Sequence, residues 1–210
     1  MGEYLDLERW KRREHFHFYR RLAQPFFSVA AELDATALWR RCRSKDAPSF
    51  FLCSMWATVR AANRTEALRL RMREDRVWRH DRVAIGTTIL RDDETFAFAE
   101  FHPDDDFGRF CSDGAREIAR ARATEQPLAT TPDDHLIYHS TLPWIRFTSF
   151  TNARGAGDSI PRIVVGKCSP VADDYRLPVA VEVHHALVDG IDVGRFFQHF
   201  EEEMRACAKL

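Results

Sequence analysis

The stretch PVAVEVHHALVDGIDVGRFF, residues 178–197, carries the strongest structural pattern in the chain. Its valine-rich first half predicts a strand over Leu177–His184. Asp189 and Gly190 are typical of a turn. Apolar side chains then recur at helical spacing, at Val193, Phe196, Phe197, Phe200 and Met204. The stretch therefore predicts a strand that delivers two histidines to its end, a turn, and an amphipathic helix.

The two histidines are expected to point in opposite directions. Side chains alternate faces along a strand, so His185 would continue the row of Val181 and Val183, while His184 and Glu182 take the other face. Burial beside an apolar row favours the neutral imidazole, which is the form that a general base needs. The same alternation argues against a metal bound by both rings. From the residues alone, a core histidine satisfied by a neighbour fits equally well.

The rest of the chain mixes helices and strands without regular alternation, which predicts an α+β two-layer sandwich rather than a doubly wound sheet. Helices are predicted at Leu5–Arg21, from an N-cap at Asp34 to Ser44, at Pro48–Asn63, and from the aspartates 104–106 to Arg122. Strands are predicted at Phe26–Leu33, Val83–Leu90, Glu94–Phe101, Leu136–Ser140, Ile145–Phe150 and Arg162–Lys167.

Composition narrows the class of protein. The 210 residues are 45% hydrophobic and 30% charged, which is typical of one globular domain spanning 1–210. The polar N-terminus has no apolar run like that of a signal peptide, and no stretch is apolar enough to cross a bilayer. Five scattered cysteines without a C-x-x-C pair predict reduced thiols and a cytoplasmic protein without membrane attachment.

Nucleic acid and metal ions are not expected as partners. The net charge of −1 offers no overall attraction for phosphate backbones, although the aromatic and basic side chains of Arg9–Arg21 would suit base stacking. The remaining histidines show no spacing typical of metal ligands.

Several short motifs resemble those of the chloramphenicol acetyltransferase (CAT) family. His185-x-x-x-Asp189-Gly190 is similar to the H-x-x-x-D-G signature, which also occurs in dihydrolipoyl acyltransferases and condensation domains. Residues 10–20 resemble the family's W-x-R-x-E-H-F-x-F-Y segment. Residues 94–96 match its E-T-F element, and residues 140–150 its S-x-L-P-W and F-x-S-F run. The matches occur in family order over about residues 8–205. The chain length fits the dihydrolipoyl acyltransferases and the condensation domains less well than it fits this family.

The resemblance implies a mixed sheet covered by helices and a coenzyme-A-dependent acyltransferase. It implies that His185 is the general base, that Ser140 stabilises the oxyanion, and that Asp189 pairs with Arg12 to shape the turn. It also implies acetyl-CoA as co-substrate, Trp144 and Lys167 near the coenzyme, and a homotrimer with active sites between subunits. The expected acceptor is chloramphenicol, with antibiotic resistance as the outcome.

The acceptor pocket matches the family less closely than the catalytic positions do. Family-like residue types are expected there at Phe18, Tyr19, Phe27, Thr87 and Phe96. Ala23, Pro25, Phe98, Pro127 and Val164 depart from the usual types, and Val164 stands where the family has a threonine. Such changes shift acceptor preference strongly. Two alternatives therefore stay open: an acyltransferase for another hydroxyl or amine, and a non-catalytic binding protein on the same fold.

Overall fold

The computed structural model describes residues 1–125, 134–155 and 158–210. The α-helices within these residues are α1 Arg13–Tyr19, α2 Thr36–Arg41, α3 Phe50–Arg64, α4 Phe107–Ala123 and α5 Gly190–Cys207. The strands are β1 Gly2–Tyr4, β2 Phe26–Asp34, β3 Leu70–Arg73, β4 Arg76–His80, β5 Ala84–Leu90, β6 Phe96–Phe101, β7 Leu136–Thr141, β8 Arg162–Val165, β9 Ser169–Val171 and β10 Asp174–His184.

The large sheet is mixed. Its strands are ordered β2-β10-β8-β7-β5-β6, and β9 pairs with β10 beside this path. Strand β7 runs parallel to both β5 and β8, whereas the other strand pairs described in this sheet are antiparallel. The central strands β8 and β10 are almost entirely buried, which explains their continuous valine-rich sequences. The expected α+β fold with a mixed sheet is confirmed.

Helices cover one face of this sheet. Alternate residues of the strands, such as Ile163 and Val181, join Met55 of α3 and Phe196 of α5 in one fully buried core. Helix α3 begins where the Ser49 hydroxyl accepts the backbone N–H of Leu52, an N-cap that compensates an otherwise unpaired donor. The opposite face, called here the open face, carries a small second cluster of Phe147, Val164 and Ala180.

Two predicted elements are wrong. The first helix is restricted to Arg13–Tyr19, because residues 7–12 form successive turns before it. Residues 145–150 are not a strand; they lie over the open face, where the Lys167 N–H donates to the Ile145 carbonyl at 2.8 Å. Asp34 ends β2 and accepts the Thr36 N–H, so α2 follows it with Ala35 as the N-cap.

A three-stranded sheet was not predicted. It has the order β1-β4-β3 and is separate from the large sheet. The predicted polar loop 123–134, with Pro127, falls mostly outside the described residues.

Across the described ranges, no helix is long and apolar enough to span a membrane. The same residues contain no group of three or more metal-ligating side chains suited to an ion.

Candidate active site

His185 lies one residue beyond the end of β10. The strand is held between β2 and β8, and its last residue, His184, pairs with Phe26. The His185 N–H donates to the Pro25 carbonyl at 2.7 Å, and the chain then turns toward α5. This backbone bond explains why the strand delivers His185 to a defined place although strand pairing has ended.

The His185 imidazole is held by aromatic rings and one backbone carbonyl. It stacks on Tyr19 with centroids 3.9 Å apart and lies 4.6 Å from the Phe27 ring. Its Nδ1 is 3.1 Å from the Val188 carbonyl oxygen. Since a carbonyl only accepts hydrogen bonds, this contact places a proton on Nδ1, and in the neutral ring Nε2 then carries the free lone pair. The ring is therefore arranged as a base at Nε2.

Arg12 holds the turn that carries His185. Its guanidinium donates to the Asp189 carboxylate and to the His185 carbonyl, both at 2.8 Å, and approaches the Val188 carbonyl at 3.5 Å. The hydrogen bond from Arg12 is the main reason why the pKa of Asp189 lies below its ordinary value. The Asp189 carboxylate bonds to Arg12 and to the Gly190 N–H and not to the imidazole, so the geometry fits a positioning role.

Asp189 also starts helix α5. Its carboxylate accepts the Gly190 N–H at 2.7 Å. In the reciprocal contact, the Asp192 carboxylate accepts the Asp189 N–H at 3.1 Å. This capping box satisfies backbone donors at the helix N-terminus. One carboxylate thus fixes both the end of the turn and the beginning of the helix.

The neighbouring histidine has a different environment. His184 is 3% exposed and meets the Phe26 ring edge-on, while its Nδ1 accepts the Ala186 N–H. Burial lowers the pKa of His184 to about 4, so it stays neutral at ordinary pH.

Ser140 lies on the open face near the end of β7. It pairs with Val164, which in turn pairs with Ala180 of β10. Phe98 pairs with Thr88 on β5, and Thr88 stands beside Ser140 because Thr87 pairs with His139. Phe96 and Phe98 expose 45% and 38% of their surface at this end of the sheet. Val164 and Phe96 are therefore on the Ser140 side of the sheet.

Trp144 and Lys167 lie at the same end of the sheet as Ser140, just beyond β7 and β8. Both are exposed, and the Lys167 N–H bonds to the carbonyl of Ile145, the residue after Trp144. The parallel strands β7 and β8 both end here, so the loops that follow them meet.

One predicted acceptor residue, Thr87, lies on the face of the sheet opposite Ser140. Thr87 is fully buried on the helix-covered face, where its hydroxyl lies 3.2 Å from Nδ1 of His139. Alternation along β5 places it opposite the row that contains Thr88 and Ser140. Its assignment to the acceptor pocket stays a prediction.

The predicted site residues form two separate groups within one chain. Tyr19, Phe27, Arg12 and Asp189 surround His185, and Phe18 is exposed beside Tyr19. The Ser140 group lies at the other end. Ser140 is level with Ala180, two strands away and five residues before His185. Strand spacings put the backbones of Ser140 and His185 about 19 Å apart.

The carbonyls of Pro25 and Val188 were not anticipated from the sequence, although they determine where His185 lies and which tautomer it adopts. Every residue has a backbone carbonyl, so residue types do not show which carbonyl accepts a hydrogen bond. Nothing in a motif of side chains could have identified them.

The fold and the turn that carries His185 together define the class of protein to which the chain belongs. A solved chloramphenicol acetyltransferase structure superposes with a TM-score of 0.90 at 27% sequence identity, covering 97% of this chain and 100% of the other. The chain shares the mixed sheet of that enzyme and has His185 just beyond the end of β10; it is an acyltransferase.

Sequence relatives identify the family. Chloramphenicol acetyltransferase 3 of Escherichia coli is 31% identical over 202 residues, 94% of each chain. A chloramphenicol acetyltransferase of Streptomyces acrimycini is 32% identical over 197 residues, 91% of this chain and 89% of the relative. The family profile described as chloramphenicol acetyltransferase matches residues 3–201. The chain belongs to the chloramphenicol acetyltransferase family.

Proposed function

We propose that the protein transfers the acetyl group of acetyl-CoA to a hydroxyl of chloramphenicol, with His185 as general base. The observation that carries this proposal is the hydrogen bond between Nδ1 of His185 and the Val188 carbonyl, which in the neutral ring makes Nε2 the basic nitrogen. The names of the relatives supply the acceptor and its acetylation. The expected consequence for a host cell is resistance to the antibiotic.

The proposed reaction is direct. Nε2 of His185 takes the hydroxyl proton as the acceptor oxygen attacks the thioester carbonyl, forming a tetrahedral oxyanion. The Ser140 hydroxyl donates a hydrogen bond to that oxyanion. Collapse breaks the carbon–sulfur bond, and the imidazolium returns its proton to the coenzyme thiolate. Stacking on Tyr19 favours the transient imidazolium, because a cation is attracted to the face of an aromatic ring.

The site is completed by a second copy of the chain. A separation of about 19 Å between the backbones of Ser140 and His185 prevents one chain from presenting both groups to one thioester. A head-to-tail contact would bring the His185 group of one subunit to the Ser140 group of the next, and closure of such contacts gives a ring. The family resemblance implies that this ring is a homotrimer.

The remaining assignments follow this division. Phe18, Tyr19 and Phe27 would meet the acceptor from one subunit, and Phe96 and Val164 from the other. Trp144 and Lys167 would contact the coenzyme, which is a co-substrate rather than a resident cofactor. The whole chain, 1–210, acts as one domain without a metal ion, and we expect it in the cytoplasm.

Thiol release from acetyl-CoA tests the function. Purified protein is assayed with and without chloramphenicol, beside His185→Ala and the control His102→Ala, whose side chain is 67% exposed and far from the motif in sequence. Acceptor-dependent release that is absent only in His185→Ala supports the proposal. Release with another hydroxyl or amine but not with chloramphenicol supports the alternative acceptor. No release with any acceptor supports a non-catalytic binding protein and overturns the proposal.

A further inference from the structure

A group of buried charged side chains lies beside Ser140 on the open face. Arg162 of β8 pairs with Tyr138 of β7 and with Glu182 of β10, one step along the strands from the row that contains Ser140. Side chains two residues apart share a face, so Arg162 and Glu182 lie on the face of Ser140. Arg154 and Asp158 join them from the segment before β8. These four residues, Arg154, Asp158, Arg162 and Glu182, are called the charged cluster.

The charged cluster consists of two ion pairs. Nε of Arg154 donates to Glu182 at 2.5 Å, with side chains 12% and 6% exposed. Nη2 of Arg162 donates to Asp158 at 2.5 Å, with side chains 10% and 15% exposed. The Arg154 guanidinium also lies 3.7 Å from the centroid of the Phe26 ring. Charged side chains are rarely buried to this degree unless they are paired or bind something.

The cluster has unused donors. Nη1 and Nη2 of Arg154 and Nη1 of Arg162 are buried and have no hydrogen-bond partner among residues 1–125, 134–155 and 158–210. The two carboxylates are already engaged, since Glu182 also faces the Asn152 N–H at 3.4 Å and Asp158 accepts the Ile160 N–H at 2.8 Å. Burial lowers the pKa of Arg154 from its ordinary value. Three guanidinium nitrogens of the cluster are therefore without an acceptor among the described residues, and buried unsatisfied donors are costly.

We propose that Arg154 and Arg162 bind a carboxylate of the acceptor, so that the enzyme acetylates hydroxyl compounds that carry an acid group. This inference rests on the proposed acyl transfer and names a class of acceptor for the same site. A carboxylate has two oxygens that match the forked donors of a guanidinium. Strand spacings put the Cα atoms of Arg162 and Ser140 about 8 Å apart, which suits a hydroxyl and an acid separated by roughly one aromatic ring.

A matched pair of acceptors tests this proposal. One is chloramphenicol, which is neutral, and the other is the analogue in which a carboxylate replaces the nitro group of the ring. The ratio of kcat/KM for the acid to kcat/KM for chloramphenicol is measured in the wild type, in Arg154→Gln and in Arg176→Gln. Arg176 is the control, because it is an arginine paired with an aspartate at the opposite end of β10.

We expect the wild type to prefer the acid, and Arg154→Gln to lower the ratio by about tenfold or more, the effect of losing a charge-assisted pair. Arg176→Gln should keep the wild-type ratio. Increasing salt should lower the ratio only where Arg154 is present. Light scattering is run on each protein, and unchanged mass in Arg154→Gln is part of the expected result. If Arg154→Gln does not fold, Arg154→Lys takes its place with the same expected direction.

Each contrary outcome has a distinct meaning. Thiol release with neither acceptor would refute the proposed function itself. Release with chloramphenicol but not with the acid, or equal ratios in Arg154→Gln and Arg176→Gln, would overturn the carboxylate site while leaving acyl transfer intact. A smaller particle in Arg154→Gln would assign the unused donors to the neighbouring subunit, and would also overturn the proposal.

Discussion

Replacing Arg12 by methionine should separate the positioning of His185 from its chemistry. The change removes two hydrogen bonds of 2.8 Å, to the Asp189 carboxylate and the His185 carbonyl. The Asp189 side chain is 42% exposed and can turn to water, which reduces its share of the loss. The His185 carbonyl loses its charged donor. Together the two bonds contribute about 2–3 kcal/mol to folding.

A loss of this size lowers the unfolding midpoint of a chain of this length by about 5–10 °C. The turnover rate of acetyl transfer should fall by more than the loss in free energy of unfolding suggests. A displacement of His185 by about 1 Å costs roughly 100-fold in rate, so kcat should drop by that order while KM for acetyl-CoA stays near its original value. Thiol release at saturating acetyl-CoA measures kcat, and thermal unfolding measures stability on the same samples.

Arg13→Met is the matched control. Arg13 is the next residue, forms an exposed ion pair with Glu8, and should lose little activity or stability when replaced. Arg12→Lys keeps the charge but loses the forked donors of the guanidinium. Its kcat and unfolding midpoint should lie between those of the wild type and Arg12→Met. A folded Arg12→Met protein with full kcat would refute the view that Arg12 positions His185.

The remaining predictions concern Ser140 and pH. Ser140→Ala should lower kcat about 100-fold or more with little change in KM, as expected for a donor that acts on the oxyanion; a fall confined to KM would contradict that role. Stability should decline as pH falls below 6.5, because burial lowers the pKa of His139 to about 3 while its unfolded value is about 6.5. The proton then binds the unfolded chain first, and His139 alone should cost about 2 kcal/mol between pH 7 and pH 5. Urea unfolding at both pH values measures this, and His139→Val should show a shallower slope; an unchanged slope would exclude His139 as the cause.

Strong local patterns in the sequence predicted the elements that present His185. The valine-rich strand and the helix from Gly190 are both present, because their periodicity reflects burial against one core. The predicted helix at Leu5–Arg21 and strand at Ile145–Phe150 are wrong. Their aromatic residues pack through turns and an irregular segment, and composition alone does not distinguish these from regular elements.

The arrangement of the site was harder to predict than its members. Resemblance predicts His185 and Ser140 as site residues, but their separation depends on the order β10-β8-β7 and on register, which no single segment encodes. Thr87 was assigned to the acceptor because its residue type fits, whereas strand alternation turns it toward His139. The charged cluster was not predicted, since its members are scattered from Arg154 to Glu182 and meet only in the folded chain.

The proposed mechanism requires that His185 of one subunit act on a thioester held by Ser140 of the next. Two variants expected to have little activity, His185→Ala and Ser140→Ala, are unfolded together in equal amounts, refolded and assayed for thiol release. Random mixing in a closed ring leaves about one quarter of the sites with both groups intact, so about one quarter of wild-type activity should return. A mixture as inactive as its two components, although shown by mass to contain mixed assemblies, would contradict the shared site.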